Sequence, residues 1–149
     1  MPKNLFEKYT KFTVVRNPWA RLVSEYEYFR QGSELHSNVL KRHRHAWAKN
    51  IKTFEEFVYR KADQENSRQY DYLKKQDGKL GMDIILKQES LAGDFQLLCQ
   101  RLGLKCELKR HNVTRVQSPI SHYFDNKLLD YVARHWEIDI KTFDYQAPV

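Results

Sequence analysis

The chain has 149 residues, 41% of them hydrophobic, which is enough for one globular domain with a real core. Nine tyrosines, eight phenylalanines and three tryptophans exclude a disordered chain, and no apolar run approaches membrane-spanning length. The net charge of +7 lies wholly in residues 1–75, where 16 Lys and Arg face 9 Asp and Glu, against 10 of each in residues 76–149; a basic half suits an anionic partner (nucleotide, polyanionic glycan, nucleic acid or acidic membrane) without choosing among them.

Residues 1–11 form a polar lead-in with neither a signal-peptide hydrophobic region nor a Gly-rich phosphate loop, so the default compartment is the cytoplasm, with the Golgi or a membrane as the alternative if an anchor lies upstream. Phe12, Val14 and Val15 are strand-prone. Asn17-Pro18 closes that strand, because the residue before a proline is pushed out of the α region while proline suits the first helical position. Asn17 is the expected N-cap. Beyond it Trp19, Leu22, Val23, Tyr26 and Phe29 recur at helical spacing as one apolar stripe, with Arg21, Ser24 and Tyr28 on the other side.

Arg16 thus falls at the carboxyl end of a strand, where ligands bind in open α/β sheets. A guanidinium fork beside a helix amino terminus, with the Ser24 hydroxyl tilted back toward it, is an arrangement shaped for phosphate. The competing reading pairs Arg16 with a carboxylate and Arg21 with Glu25 across one turn, leaving Ser24 as surface filler.

Gln31-Gly32-Ser33 interrupts the helical pattern. Residues 34–50 are polar and basic, with Lys41-Arg42-His43-Arg44-His45, and read as a solvated helix or loop or else as a basic lip over an acceptor. His43 and His45, two apart, point away from each other and make poor joint metal ligands. Thr53 with Glu56 has the form of a capping box, and Phe54, Phe57 and Val58 make the inward face of a short helix. Asp63 to Ser67 is a polar loop, Gln69 to Leu73 an aromatic helix, and Met82 to Leu86 the next strand. Ser90 is the expected cap of an amphipathic helix carrying Leu91, Phe95, Leu98 and Leu102 and ended by Gly103. Glu89 reads as structural, bracing an arginine. Cys99 and Cys106 fit no metal or redox spacing; Cys99 reads as a buried thiol, with a disulfide to Cys106 as the alternative. Cys106 to Arg110 is a short extended piece, and His111 to Arg115 a loop. Ser121 is expected to cap a helix through His135, and Ile138 to Tyr145 to close over the sheet as a helical turn.

Arg16-Asn17-Pro18 with Arg21, Leu22, Val23, Ser24 and Tyr26 resembles the 3′-phosphate-binding segment of sulfotransferases that use 3′-phosphoadenosine 5′-phosphosulfate (PAPS). QYDYL at 69–73, DIILKQESL at 83–91 with Asp94, Asn112-Val113-Thr114 and DIKTFDY at 139–145 fall in the order of the carbohydrate-type branch of that family. The resemblance implies an α/β fold, a P-loop-kinase-like parallel sheet flanked by helices. It implies that Arg16 and Ser24, with Arg21 in the same segment, hold the 3′-phosphate, and that Thr114 or Arg115 adds to donor binding. The acceptor would be a hydroxyl on a carbohydrate, and no metal is called for. The family's Gly-rich loop and lysine have no counterpart among the five glycines here, so the expectation is a single, N-terminally truncated domain over 1–149, doubtful in activity alone, with an exposed sheet edge calling for a partner or oligomer. No catalytic base is assigned; His36, His43 and His45 follow the phosphate element. Two other readings stand beside this one: a non-catalytic module that keeps the 3′-phosphate pocket, and a basic nucleic-acid-binding domain, which lacks any recognisable module.

Overall fold

The structure, a computed structural model, describes residues 8–35, 50–109, 116 and 118–148, with the backbone alone for 32–35. Strand β1 (Phe12–Val15) leads into helix α1 (Pro18–Leu35), followed by α2 (Phe54–Ala62) and the short α3 (Gln69–Leu73). Strand β2 (Ile84–Lys87) passes through a 3-10 turn (Gln88–Ser90) into α4 (Leu91–Arg101). A second 3-10 turn (Ile120–Tyr123) precedes α5 (Asn126–His135) and α6 (Glu137–Phe143).

β1 and β2 pair in parallel, Phe12 opposite Ile84 and Val15 opposite Lys87. The register is pinned at both ends. At the start, the Lys11 N–H donates to Asp83 Oδ2 (2.8 Å) and the Asp83 N–H returns to the Lys11 carbonyl (2.8 Å). At the far end, the Asn17 N–H donates to Glu89 Oε1 (2.8 Å). One sheet face carries Val15, which packs with Phe143 and Tyr145 and against Tyr70, Leu73 and Ile85, so α3 and α6 cover it as the sequence led us to expect of the C-terminal turn. The other face carries Leu86, buried against α4, whereas Phe12 and Val14 on it remain 46% and 41% exposed. Parallel sheets are ordinarily covered on both faces.

The larger core lies among helices: Trp19 and Leu22 of α1, Phe57 and Val58 of α2, Leu128 and Val132 of α5, and Trp136. The apolar stripe of α1 is the face so buried. Tyr26 and Phe124 pack edge-on to Phe54, with ring centroids 5.4 and 5.0 Å away.

Several local expectations are corrected. α1 does not break at Gln31-Gly32-Ser33 but continues to Leu35; one glycine costs a helix only about 1 kcal/mol, which continued backbone pairing offsets. β2 starts at Ile84, not Met82, because the Asp83 and Ile84 amides first bond the Lys11 carbonyl. Ser90 stands at the start of α4 but caps nothing: its hydroxyl donates to Asp94 Oδ2 (2.8 Å) instead, the preceding 3-10 turn having set its backbone away from cap geometry. α5 is capped by Asp125, whose Oδ1 accepts the Leu128 N–H (2.7 Å), since Ser121 lies inside a 3-10 turn. No regular element spans residues 104–109. At α2 Thr53 caps as expected, the Glu56 N–H reaching Thr53 Oγ1 (3.1 Å), but the Glu56 carboxylate reaches back one residue further, its Oε2 accepting the Lys52 N–H (3.1 Å).

Candidate functional site

The site is built where β1 ends. Pro18 takes the first helical position, and Asn17 Oδ1 accepts from the Trp19 (3.1 Å) and Ala20 (3.4 Å) amides, while its Nδ2 donates to the Gln146 carbonyl (2.8 Å). The first amides of α1 are therefore taken. Its dipole still presents positive potential to the strand end, but a phosphate there must be gripped by side chains rather than by free helix amides.

Arg16 supplies the side chain. Its backbone is held on both sides by one residue: the Arg16 N–H donates to Gln69 Oε1 (2.9 Å) and Gln69 Nε2 donates to the Arg16 carbonyl (2.8 Å). The Gln69 amide thus mimics a neighbouring strand and fixes the direction in which Arg16 leaves the sheet. Gln69 is itself fixed by Asp139, a fully buried carboxylate whose oxygens accept the Gln69 (2.7 Å) and Tyr70 (2.8 Å) amides and so cap α3 from a distant part of the chain. QYDYL and DIKTFDY, read from sequence as separate family segments, are thereby one brace behind Arg16.

The guanidinium itself makes no hydrogen bond or ion pair among the described residues. It is half-buried, and that burial lowers its pKa against the opposing pull of Glu89, Glu25 and Tyr145. Glu89 would be the obvious partner, but its Oε1 takes the Asn17 amide and its Oε2 the Tyr145 hydroxyl (3.2 Å). Glu89 is a structural brace, as the sequence suggested, though through a backbone amide and a phenol rather than a hydrogen-bonded arginine. Burial, then Glu89, raises the pKa of Tyr145, which keeps the phenol a donor. A partly desolvated cation with no hydrogen-bonding partner among the described residues has the chemistry to accept an anion.

Ser24 lies half-buried on α1 and its hydroxyl makes no hydrogen bond among the described residues. It is adjacent to Glu25, whose charge reaches Arg16. Arg21 is already committed: Nε donates to Glu25 Oε1 (2.9 Å) and Nη1 to the Ser67 carbonyl (3.2 Å). The competing sequence reading therefore describes Arg21 but not Arg16. Glu25, despite burial, is held below the usual carboxylate range by Arg21 and Lys61, the latter 2.7 Å away. Thr114 and Arg115 lie outside the described residues, as do His36, His43 and His45. Among the described residues no group of three or more His, Cys, Asp or Glu could hold a metal ion, and no helix is long and apolar enough to cross a membrane.

Sequence reasoning missed the positioning roles of Gln69, Asp139 and Tyr145. Their segments were noticed, but no periodicity relates residues 53 and more positions away from Arg16 to its backbone.

A parallel strand pair with an arginine at its carboxyl rim, not hydrogen-bonded through its side chain among the described residues, is compatible with an α/β domain. The model of the sulfotransferase family matches residues 1–146, nearly the whole chain, and the chain belongs to that family. No curated protein and no solved structure gave a match.

Proposed function

We propose that this sulfotransferase-family domain binds PAPS and serves sulfuryl transfer to a hydroxyl, with a carbohydrate as acceptor. The observation that carries the reading is the half-buried Arg16 guanidinium, braced through its backbone at the strand end and without a hydrogen-bonding partner among the described residues. Arg16 would take the donor's 3′-phosphate through a bidentate fork, and Ser24 would donate its hydroxyl to a third phosphate oxygen. Arg21 would neutralise Glu25, the carboxylate next to Ser24, rather than contact the phosphate directly. Thr114 and Arg115 complete the expected donor contacts. The donor supplies the activated sulfuryl group; this chain's residues bind, orient and neutralise its remote phosphate. The P-loop-kinase-like architecture belongs to the same reading, as does coverage of the Phe12 and Val14 face by a partner or second copy.

A second reading is binding without transfer, by a module that keeps the phosphate pocket at Arg16 and Ser24. Titration with 3′,5′-ADP and a labelled-PAPS assay over a panel of glycans separate the two. Binding with transfer supports the enzyme, binding without transfer supports the module, and no binding by either the wild type or a fusion carrying a Gly-rich phosphate loop rejects both.

A further inference from the structure

Cys99 and Cys106 are separated by a helix end whose geometry fixes where the chain goes next. The Leu102 N–H closes the last α-type bond of α4 onto Leu98 (3.0 Å). Gly103 then adopts φ +66°, its N–H reaching the Gln100 carbonyl (3.1 Å), and the Leu104 N–H returns to the Cys99 carbonyl (2.8 Å). This pair of nested bonds is a Schellman motif, which reverses the chain across the helix end. The reversal carries residues 104–106 back past the last turn of α4. Cys106 therefore arrives on the same side as Cys99, and both residues line one open cavity of ≈ 470 Å³. The two cysteines are of unequal access, Cys99 buried and Cys106 exposed. Linear spacing hid this, because seven residues in an unbroken helix would put the sulfurs about 10 Å apart along the axis; the positive-φ glycine folds that distance up.

We propose that Cys99 and Cys106 are a dithiol site that closes to an intrachain disulfide when the chain meets a small-molecule disulfide, stapling residues 104–106 onto the end of α4. The exposed Cys106 thiolate attacks one sulfur of oxidised glutathione, forming a protein–glutathione disulfide and releasing one glutathione thiolate. Cys99, as thiolate, then attacks the Cys106 sulfur and expels the second glutathione. The balance is one protein dithiol and one oxidised glutathione giving one protein disulfide and two glutathione thiols. Burial, then the neighbouring Cys106 thiol, raises the Cys99 pKa, in keeping with Cys106 reacting first and Cys99 resolving the adduct. This inference is independent of the donor site.

Titrating the reduced chain with oxidised glutathione tests it, followed by intact mass and non-reducing peptide mapping. The wild type should lose both free thiols, shed the mass of two hydrogens, and yield one peptide pair joining Cys99 to Cys106, reversibly with dithiothreitol. In C99A the glutathione adduct on Cys106 should persist at least about tenfold longer than in the wild type, for want of a resolving thiol. In C106S, Cys99 should resist modification while the chain stays folded. A wild-type chain that accumulates the glutathione adduct, or links chain to chain, would overturn the proposal. So would adduct formation in C106S as fast as in C99A.

Discussion

Replacing Arg16 by methionine keeps the aliphatic stem and deletes the charge, and it separates a ligand-binding arginine from a structural one. A bidentate, charge-assisted fork to a phosphate contributes roughly 3–4 kcal/mol, so R16M should weaken 3′,5′-ADP binding by about 100- to 1,000-fold. Stability should move the other way or not at all. The guanidinium is desolvated without a hydrogen bond to offset the burial, and Glu89 keeps the Asn17 and Tyr145 donors after Arg16 is gone. The folded state therefore loses a cost and leaves no orphaned carboxylate, and the unfolding free energy should stay the same or rise slightly, by less than about 0.5 kcal/mol. Isothermal titration paired with urea denaturation reads both quantities on one preparation. Unchanged 3′,5′-ADP affinity together with a stability loss of several kcal/mol would show that Arg16 serves the fold, and the site reasoning would fail.

Asn17→Ala removes the acceptor for the Trp19 and Ala20 amides and should cost about 0.5–2 kcal/mol by urea denaturation. Asp139→Ala leaves two amides of α3 without their carboxylate in a fully buried position, and should cost roughly 2–4 kcal/mol while loosening Gln69 behind Arg16; a loss below that of Asn17→Ala would contradict the brace. Acid should destabilise the fold from a definite point. Asp94 is held low by the Lys87 amide and Ser90, Asp83 by Lys11, and Glu25 by Arg21 and Lys61 against its burial. Depressed folded-state pKa values confer stability that is fully present above the unfolded carboxylate values and lost as pH falls through the folded ones. Burial also lowers the His135 pKa, so the unfolded chain takes up that proton first: unfolding free energies should decline gently below about pH 6.5 and more steeply below about pH 4, as the carboxylates protonate.

What the sequence disclosed follows from how local each cause is. β1, its closure by Asn17-Pro18, the apolar stripe of α1 and the Thr53–Glu56 cap all depend on residues a turn or less apart, and each was readable. Arg16 at the strand end followed from the same logic. The missed features are set by distant partners: Gln69 gripping the Arg16 backbone, Asp139 capping α3, and Asp83 delaying β2 by holding Lys11. Ser90 shows the intermediate case, a correct position given a different bond because Asp94 competes for its hydroxyl. The thiol pair belongs with these, since the positive φ at Gly103 folds a seven-residue separation back so that both cysteines line one cavity.

The central claim is that Arg16 and Ser24 hold a ribose 3′-phosphate. Comparing 3′,5′-ADP with 5′-AMP by isothermal titration tests it directly, since the two ligands differ only in that group. The account predicts at least about 100-fold tighter binding of 3′,5′-ADP, a preference that S24A reduces and R16M abolishes. Equal affinity for the two nucleotides in the wild-type chain would contradict it.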